Sequence, residues 1–104
     1  MHTCEALADP IRREIVELLA RGEQTAGEIA ARFEVTRPAI SRHLRILREA
    51  GIATVREDAT RRIYGLDPTP LMALEQWVAT QRTLWEKRLD QLDSFLHELK
   101  EQSE

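Results

Sequence analysis

Apolar residues recur at helical spacing in three segments of the first half of the chain, and each segment follows a residue that caps helices. In the first segment Asp9 is the predicted cap, Pro10 takes the first helical position, and Gly22 ends the helix. The positions that predict its buried side are Ile11, Ile15, Val16, Leu18 and Leu19. Residues 1–8 predict a further short helix before it.

The second and third segments predict a helix-turn-helix over residues 25–51. Thr25 and Glu28 have the T-x-x-E spacing of a capping box, so a helix begins there and continues until Glu34 breaks its pattern. Its apolar positions are Ile29, Ala30 and Phe33. After a turn, Thr36 is the predicted cap of the next helix, which ends at Gly51. The first turn of that helix contains Pro38, and its buried stripe is Ile40, Leu44 and Leu47.

A two-stranded hairpin is predicted directly after this helix. Residues 52–57 alternate partly between apolar and polar, residues 58–60 are typical of a turn, and residues 61–66 alternate again. Three arginines lie at or near its tip: Arg56, Arg61 and Arg62. A helix-turn-helix followed by such a hairpin predicts a mainly α fold with a small β-hairpin wing over residues 52–66, the plan of a winged helix.

The last third of the chain predicts one long helix over residues 69–101, which Thr69 and Pro70 open and no internal Gly or Pro interrupts. It would be roughly 45 Å long at about 1.5 Å per residue. Apolar residues form a stripe along it: Leu71, Leu74, Trp77, Val78, Leu84, Trp85, Leu89, Leu92, Phe95, Leu96 and Leu99. We expect part of this stripe to be a dimer interface, because the rest of the chain is too small to cover it. The alternative is a helix folded back wholly onto its own domain.

The charge distribution along the chain indicates a function for the second helix of the helix-turn-helix. The chain has 104 residues, 42% of them hydrophobic, which predicts one domain over residues 1–104, and its net charge of −3 and pI near 5.7 do not by themselves indicate a nucleic-acid partner. Residues 36–62, however, contain seven arginines and three acidic residues, a balance of +4, so the remainder carries −7. This concentration favours a surface that binds double-stranded DNA over an ordinary solvated face.

Individual roles follow from the chemistry of each side chain. Arginine can bond bidentately to guanine, and serine can bond bases or phosphates, so Arg37, Ser41 and Arg42 are predicted to read or position bases. Thr36, His43 and Arg45 are predicted to support phosphate contacts. The wing residues Arg56, Arg61 and Arg62 are predicted to contact phosphates or the minor groove.

Several other classes of function are not favoured. One cysteine, no signal peptide and no apolar run of transmembrane length predict a cytoplasmic protein without a membrane partner or an intramolecular disulfide. Ser41 and His43, two apart on a helix, point in different directions, and no phosphate loop or nucleophile elbow is present. We therefore expect neither an enzyme nor a cofactor.

Three segments resemble the ArsR family of bacterial winged-helix repressors: LADPIRREIVELLARGE, TAGEIAARFEVTRPAISRHLRILREAGI and the hairpin with RRIYGLDP. The resemblance implies a homodimer joined through its first and last helices, with Leu7 of the first helix at the interface. It also implies binding to an imperfect inverted repeat, and often repression of the protein's own operon. Many members sense metals through paired cysteines in the recognition helix; residues 31–41 contain none, so the chain looks most like the metal-independent branch.

Other interpretations remain open from the sequence. A second metal site of the family uses Asp and His pairs on the last helix, and Asp93, His97 and Glu101 lie at i, i+4 and i+8 on one face of that helix. A metal-responsive repressor with a zinc or nickel site there is thus an alternative, although such residues on a charged helix are usually solvated. Cys4 beside His2 is a ligand pair, a thiol switch or merely a terminal cysteine. A winged helix can also serve purely as a protein-interaction module for an acidic partner. Salt dependence and sequence preference separate that module from a DNA binder.

Overall fold

The computed structural model describes residues 2–102, and within them the predicted mainly α fold with a small antiparallel sheet is confirmed. The helices are α1 His2–Leu7, α2 Pro10–Arg21, α3 Ala26–Ala30, α4 Arg37–Glu49 and α5 Thr69–Gln102. The strands are β1 Gln24–Thr25, β2 Ala53–Asp58 and β3 Arg61–Leu66. Met1, predicted to belong to the first short helix, lies outside the described residues.

Side-chain caps begin α2, α3 and α4, as predicted. Asp9 accepts hydrogen bonds from the backbone amides of Ile11 and Arg12 at 2.8 and 3.2 Å. Burial raises the pKa of the Asp9 carboxyl, but these two bonds outweigh that effect and the pKa lies below its ordinary value. Thr25 and Glu28 form both bonds of the capping box, each 3.1 Å long. These caps fix where each helix starts.

The core lies between α2, α4 and the sheet. Its fully buried members include Ile15 of α2, Ile29 of α3, the predicted α4 stripe, and Ile52 before β2. The helix α3 is shorter than predicted, because it ends at Ala30 and residues 31–35 form turns. Phe33 therefore packs against the core from the turn, half-buried, instead of from a helix.

The sheet has three strands in the order β1-β3-β2, whereas the sequence predicted two. Gln24 and Thr25 pair with Tyr64 and Ile63 of β3, so the short strand β1 fastens the segment before α3 to the wing. Gly51, with φ +76°, ends α4 in the left-handed conformation predicted for it.

Strain at the wing tip gives a stability prediction. Ala59 has φ +57° in the two-residue connection between β2 and β3, a conformation that costs an L-residue about 1–2 kcal/mol. Ala59→Gly relieves this cost, but the greater conformational entropy of glycine stabilises the unfolded chain by about 0.4–1 kcal/mol. We expect a net gain of about 0.5 kcal/mol in the free energy of unfolding. Urea denaturation at fixed protein concentration measures it, and Thr60→Gly, in the same turn without a positive φ, should show no gain.

Contacts divide the chain into two compact units, residues 1–72 and 73–104. The second unit contains most of α5, whose 34 residues span roughly 51 Å. None of the described residues of α5 is buried within one chain. Ten of its large apolar side chains between Met72 and Leu99 are 45–63% exposed, and Leu74 is half-buried. An apolar stripe of this length is thus left uncovered in a single copy.

Candidate nucleic-acid interface

The helix α4 separates its apolar and basic residues onto different faces. Ile40, Leu44 and Leu47 are buried, and they anchor one side of the helix to the core. The exposed polar residues are Arg37, Ser41, Arg42, Arg45 and Arg48, with the acidic Glu49 at the end of the helix. Burial of the stripe therefore holds a row of cationic side chains toward solvent.

A cleft of about 420 Å³ lies between α4 and the wing. It is lined by Pro38, Ser41, Arg42, Arg45, Arg48, Arg62 and Tyr64. Four guanidinium groups and the two hydroxyls of Ser41 and Tyr64 are donors of the kind that phosphate oxygens and guanine edges accept from. We call these seven residues the arginine cleft. Its charge and its position beside an exposed helix make it the candidate site for a polyanion.

Arg62 is held over the arginine cleft by Tyr64. The Arg62 guanidinium carbon is 5.9 Å from the centroid of the Tyr64 ring, within the range of a cation–π contact. Tyr64 itself is buried, so the ring is a fixed support. The contact orients the Arg62 charge toward α4.

The three predicted wing arginines do not share a face. Side chains alternate along a strand, and residues directly opposite each other in an antiparallel pair lie on the same face. Arg62, opposite Glu57, shares its face with Tyr64, whereas Arg61, opposite Asp58, and Arg56, opposite Ile63, lie on the other face. Only Arg62 lines the arginine cleft.

Arg56 and Arg61 have acidic neighbours. Arg56 forms two bonds to Glu23, Nε to Oε2 at 3.0 Å and Nη2 to Oε1 at 3.3 Å. The hydrogen bonding with Arg56 and the charge of Arg56 lower the pKa of the Glu23 carboxyl. The same hydrogen bonding and the charge of Glu23 raise the pKa of Arg56. Arg61 is 3.9 Å from Asp58. Both pairs are exposed, so water and salt screen them and a phosphate can compete for either arginine.

The first turn of α4 holds Thr36 and Arg37. Thr36 Oγ1 accepts from the Ala39 amide at 3.3 Å, and its hydroxyl proton remains available to donate. Arg37 folds back over α3, where its Nη2 is 3.6 Å from the position a side chain on Gly27 would occupy. Both residues are exposed beside the arginine cleft and do not line it.

His43 has a partner that the sequence did not suggest. The ring is half-buried, and its Nδ1 lies 3.2 Å from Nη1 of Arg12 in α2. The structure thus links His43 to α2, whereas the sequence predicted that this side chain supports phosphate contacts.

Arg48 and Tyr64 belong to the arginine cleft but were not among the predicted DNA contacts. A signal for Arg48 was present, because residues 41, 45 and 48 follow i, i+4 and i+7 spacing and share a helix face. No such signal marks Tyr64, since its support of Arg62 depends on strand pairing.

Known proteins similar to this chain are bacterial regulators. A model of the family described as "Bacterial regulatory protein, arsR family" matches residues 9–55. The HTH-type transcriptional regulator Rv2034 of Mycobacterium tuberculosis is 51% identical over 70 residues, which are 67% of this chain and 65% of that protein. The transcriptional repressor SdpR of Bacillus subtilis is 38% identical over 74 residues, 71% of this chain and 82% of SdpR. The chain belongs to the arsR family.

Solved structures agree with this assignment. The ArsR-like transcriptional regulator from Rhodococcus sp. RHA1 superposes with a TM-score of 0.85 and 26% identity, covering 92% of this chain and 88% of that one. These arsR-family relatives are named as transcriptional regulators, in agreement with the expectation that the chain is not an enzyme.

The candidate metal ligands of this arsR-family chain do not form a metal site within one copy. Asp93, His97 and Glu101 are exposed on α5. Across residues 2–102, no three His, Cys, Asp or Glu side chains come close enough together to hold a metal ion. Cys4 is exposed on α1, with His2 at the start of the same helix. None of the helices in the described part of the chain is long and apolar enough to cross a membrane.

Proposed function

We propose that this arsR-family protein is a DNA-binding transcriptional repressor that acts as a homodimer on an inverted-repeat operator. The arginine cleft carries the proposal, because four guanidinium groups converge between an exposed helix and a hairpin wing. That is the arrangement in which a recognition helix enters the major groove while flanking cations hold the backbone. Repression, as opposed to activation, is supported by the similar protein SdpR, which is named a transcriptional repressor. The promoter of the protein's own gene is the first DNA to test as an operator.

The residues divide into two groups in this proposal. Arg42 and Ser41, on the exposed face of α4, reach base edges, with Thr36 and Arg37 beside them at its first turn. Arg45, Arg48 and Arg62 bind phosphates from the two sides of the arginine cleft. Arg56 and Arg61 lie on the face of the wing opposite Arg62, and in this proposal they leave Glu23 and Asp58 to bind DNA phosphates.

The homodimer follows from the uncovered stripe of α5 and from the symmetry of operators. Leu74 is half-buried, and the exposed members of the proposed interface are Val78, Trp85, Leu89, Leu92, Leu96 and Leu99. A separate proposed contact between the two copies involves Leu7 of α1, which packs partly against the core. Two copies related by a two-fold axis present two α4 helices to two half-sites, which is why an inverted repeat is the expected target.

Fluorescence anisotropy on the promoter fragment and on a scrambled duplex, from about 50 to 200 mM salt, tests the function. We expect tight, promoter-selective binding that weakens steeply with salt and is unchanged by zinc or nickel. Equal affinity for both duplexes would instead favour a protein-interaction module. Loss of binding with metal would point to a sensing site made between two copies by Asp93, His97 and Glu101.

Arg62→Ala gives a sharper prediction within the same titration. If Arg62 binds a phosphate in each half-site, its loss should lower the salt slope by about 2 per dimer and weaken binding to both duplexes similarly. Arg21→Ala, at the exposed end of α2 outside the arginine cleft, is the matched control and should leave the slope unchanged. An unchanged slope for Arg62→Ala would remove the wing from the interface.

A further inference from the structure

One arginine joins the end of α1 to the proposed recognition helix. Arg12 Nε donates to the Ala6 carbonyl at 2.7 Å, and its Nη2 donates to the Glu5 carbonyl at 3.2 Å. Carbonyl groups in the last turn of a helix lack partners within the helix. Arg12 supplies a donor to the Ala6 carbonyl and a second donor to the Glu5 carbonyl, which also accepts from the Ala8 amide at 3.2 Å. The third nitrogen, Nη1, lies 3.2 Å from His43 Nδ1 on α4. A single half-buried side chain therefore connects three helices.

The hydrogen bond from Arg12 requires one particular protonation state and tautomer of the His43 ring. A guanidinium group only donates hydrogen bonds, so Nδ1 accepts and the proton of the neutral ring is on Nε2. A protonated imidazole donates from both nitrogens and cannot accept. Protonation would therefore break the bond and place two cations in contact. Histidine is the side chain that ordinarily changes charge between about pH 5 and 8.

The other titratable groups near the contact of Arg12 with His43 come from the cap of α2, from α1 and from α4 itself. Asp9, the cap of α2, interacts with His43 electrostatically, and its carboxylate favours the protonated ring, whereas the hydrogen bond from Arg12 requires the neutral one. The Oδ1 atom of Asp9 accepts from two backbone amides. From α1, Glu5 and His2 line a neighbouring cleft of about 310 Å³, together with Arg12 and with Glu49 of α4. Arg12 is the charged group that contacts the ring through a hydrogen bond.

We propose that Arg12 is a positioning residue, which through neutral His43 holds α4 in its DNA-binding orientation relative to α1. The proposal rests on the DNA-binding function above. It predicts that operator affinity falls as the solution is acidified, because the bond is present only when the ring is neutral. A histidine that contacts phosphate, as the sequence suggested, predicts the opposite sign, since protonation adds a cation to the interface.

The sign is measured by anisotropy on the promoter fragment at constant ionic strength. From a neutral pH to one acidic enough to protonate the ring, the unchanged protein should lose about tenfold in affinity, the lower end of what one hydrogen bond to a charged group contributes. His43→Asn keeps an acceptor near the Nδ1 position and does not titrate, so it should bind well at both pH values. His97→Asn, on α5, is the matched control and should retain the full response. A response that is absent, reversed or preserved in His43→Asn would overturn the proposal.

Two measurements without DNA separate this proposal from the proposed function. The ¹⁵N shifts of the His43 ring should show a proton on Nε2 alone at the pH where the operator is bound most tightly. Amide hydrogen exchange over residues 2–8 should accelerate in Arg12→Ala, and in the unchanged protein on acidification after correction for the intrinsic rate. If these hold and no DNA is bound, the DNA-binding function fails and the link between helices stands. If DNA is bound but Nδ1 carries the proton or exchange does not change, the positioning role of Arg12 fails.

Discussion

Replacing Arg42 by alanine is expected to weaken binding to the cognate operator by about 1–3 kcal/mol, the discrimination that one bidentate contact to guanine provides. The residue is exposed on α4, beside Ser41, on the rim of the arginine cleft. A base contact exists only on the correct sequence, whereas the charge of Arg42 attracts any duplex. The loss on a scrambled duplex should therefore be much smaller, and competition anisotropy with both duplexes measures the difference.

Arg42→Lys separates charge from geometry in the same experiment. Lysine keeps the positive charge but lacks the planar fork, so it should restore much of the affinity for scrambled DNA and little of the preference for the operator. Arg45→Ala, which lies in the same cleft but is assigned to phosphate, should lose affinity for both duplexes alike. Equal losses on both duplexes for Arg42→Ala would exclude its base-reading role and leave it as a phosphate contact.

The helix starts were predictable from the sequence because each depends on residues at most three positions apart. Asp9, Thr25 and Thr36 cap α2, α3 and α4 through hydrogen bonds to amides two or three residues later. Such bonds form whenever the helix forms, whatever the rest of the fold does. For the same reason the basic face of α4 followed directly from its buried stripe.

Features that depend on distant residues were not predictable in this way. The two-residue strand β1 exists because Gln24 and Thr25 meet β3 some forty positions later, and two residues carry no alternation of their own. The contact of His43 with Arg12 joins positions 31 apart, and that of Arg56 with Glu23 joins positions 33 apart. Side chains this far apart in the sequence come into contact only when the helices and strands pack, so no local pattern predicts the pair.

The separation of the wing arginines is an intermediate case, because its signal was in the sequence. Arg61 and Arg62 are neighbours on a strand, and neighbours on a strand point to opposite faces. What the sequence did not contain was the direction of each face. That direction depends on Tyr64 being buried toward α4, and on the pairing that places Arg62 on the same side.

Introducing charge into the stripe of α5 is expected to have the largest effect on function. Leu92 and Leu96 are 51% and 50% exposed in a single chain, and in the proposed homodimer they pack against the partner. The double variant Leu92→Glu/Leu96→Glu would bury unpaired carboxylates, which the interface cannot stabilise. We expect monomers in sedimentation velocity, and operator binding about 10²–10⁴-fold weaker because two linked half-sites become two independent ones.

Thr83→Glu/Ser94→Glu is the matched control for this variant, since it adds the same two charges on the opposite side of the helix. It should remain dimeric and bind the operator normally. Circular dichroism of both variants checks that the winged helix is folded, which is expected because no residue of α5 belongs to the buried core. A Leu92→Glu/Leu96→Glu protein that still sediments as a dimer would place the interface elsewhere. One that is monomeric but retains full affinity would show that a single winged helix suffices, and an inverted repeat would then no longer be required.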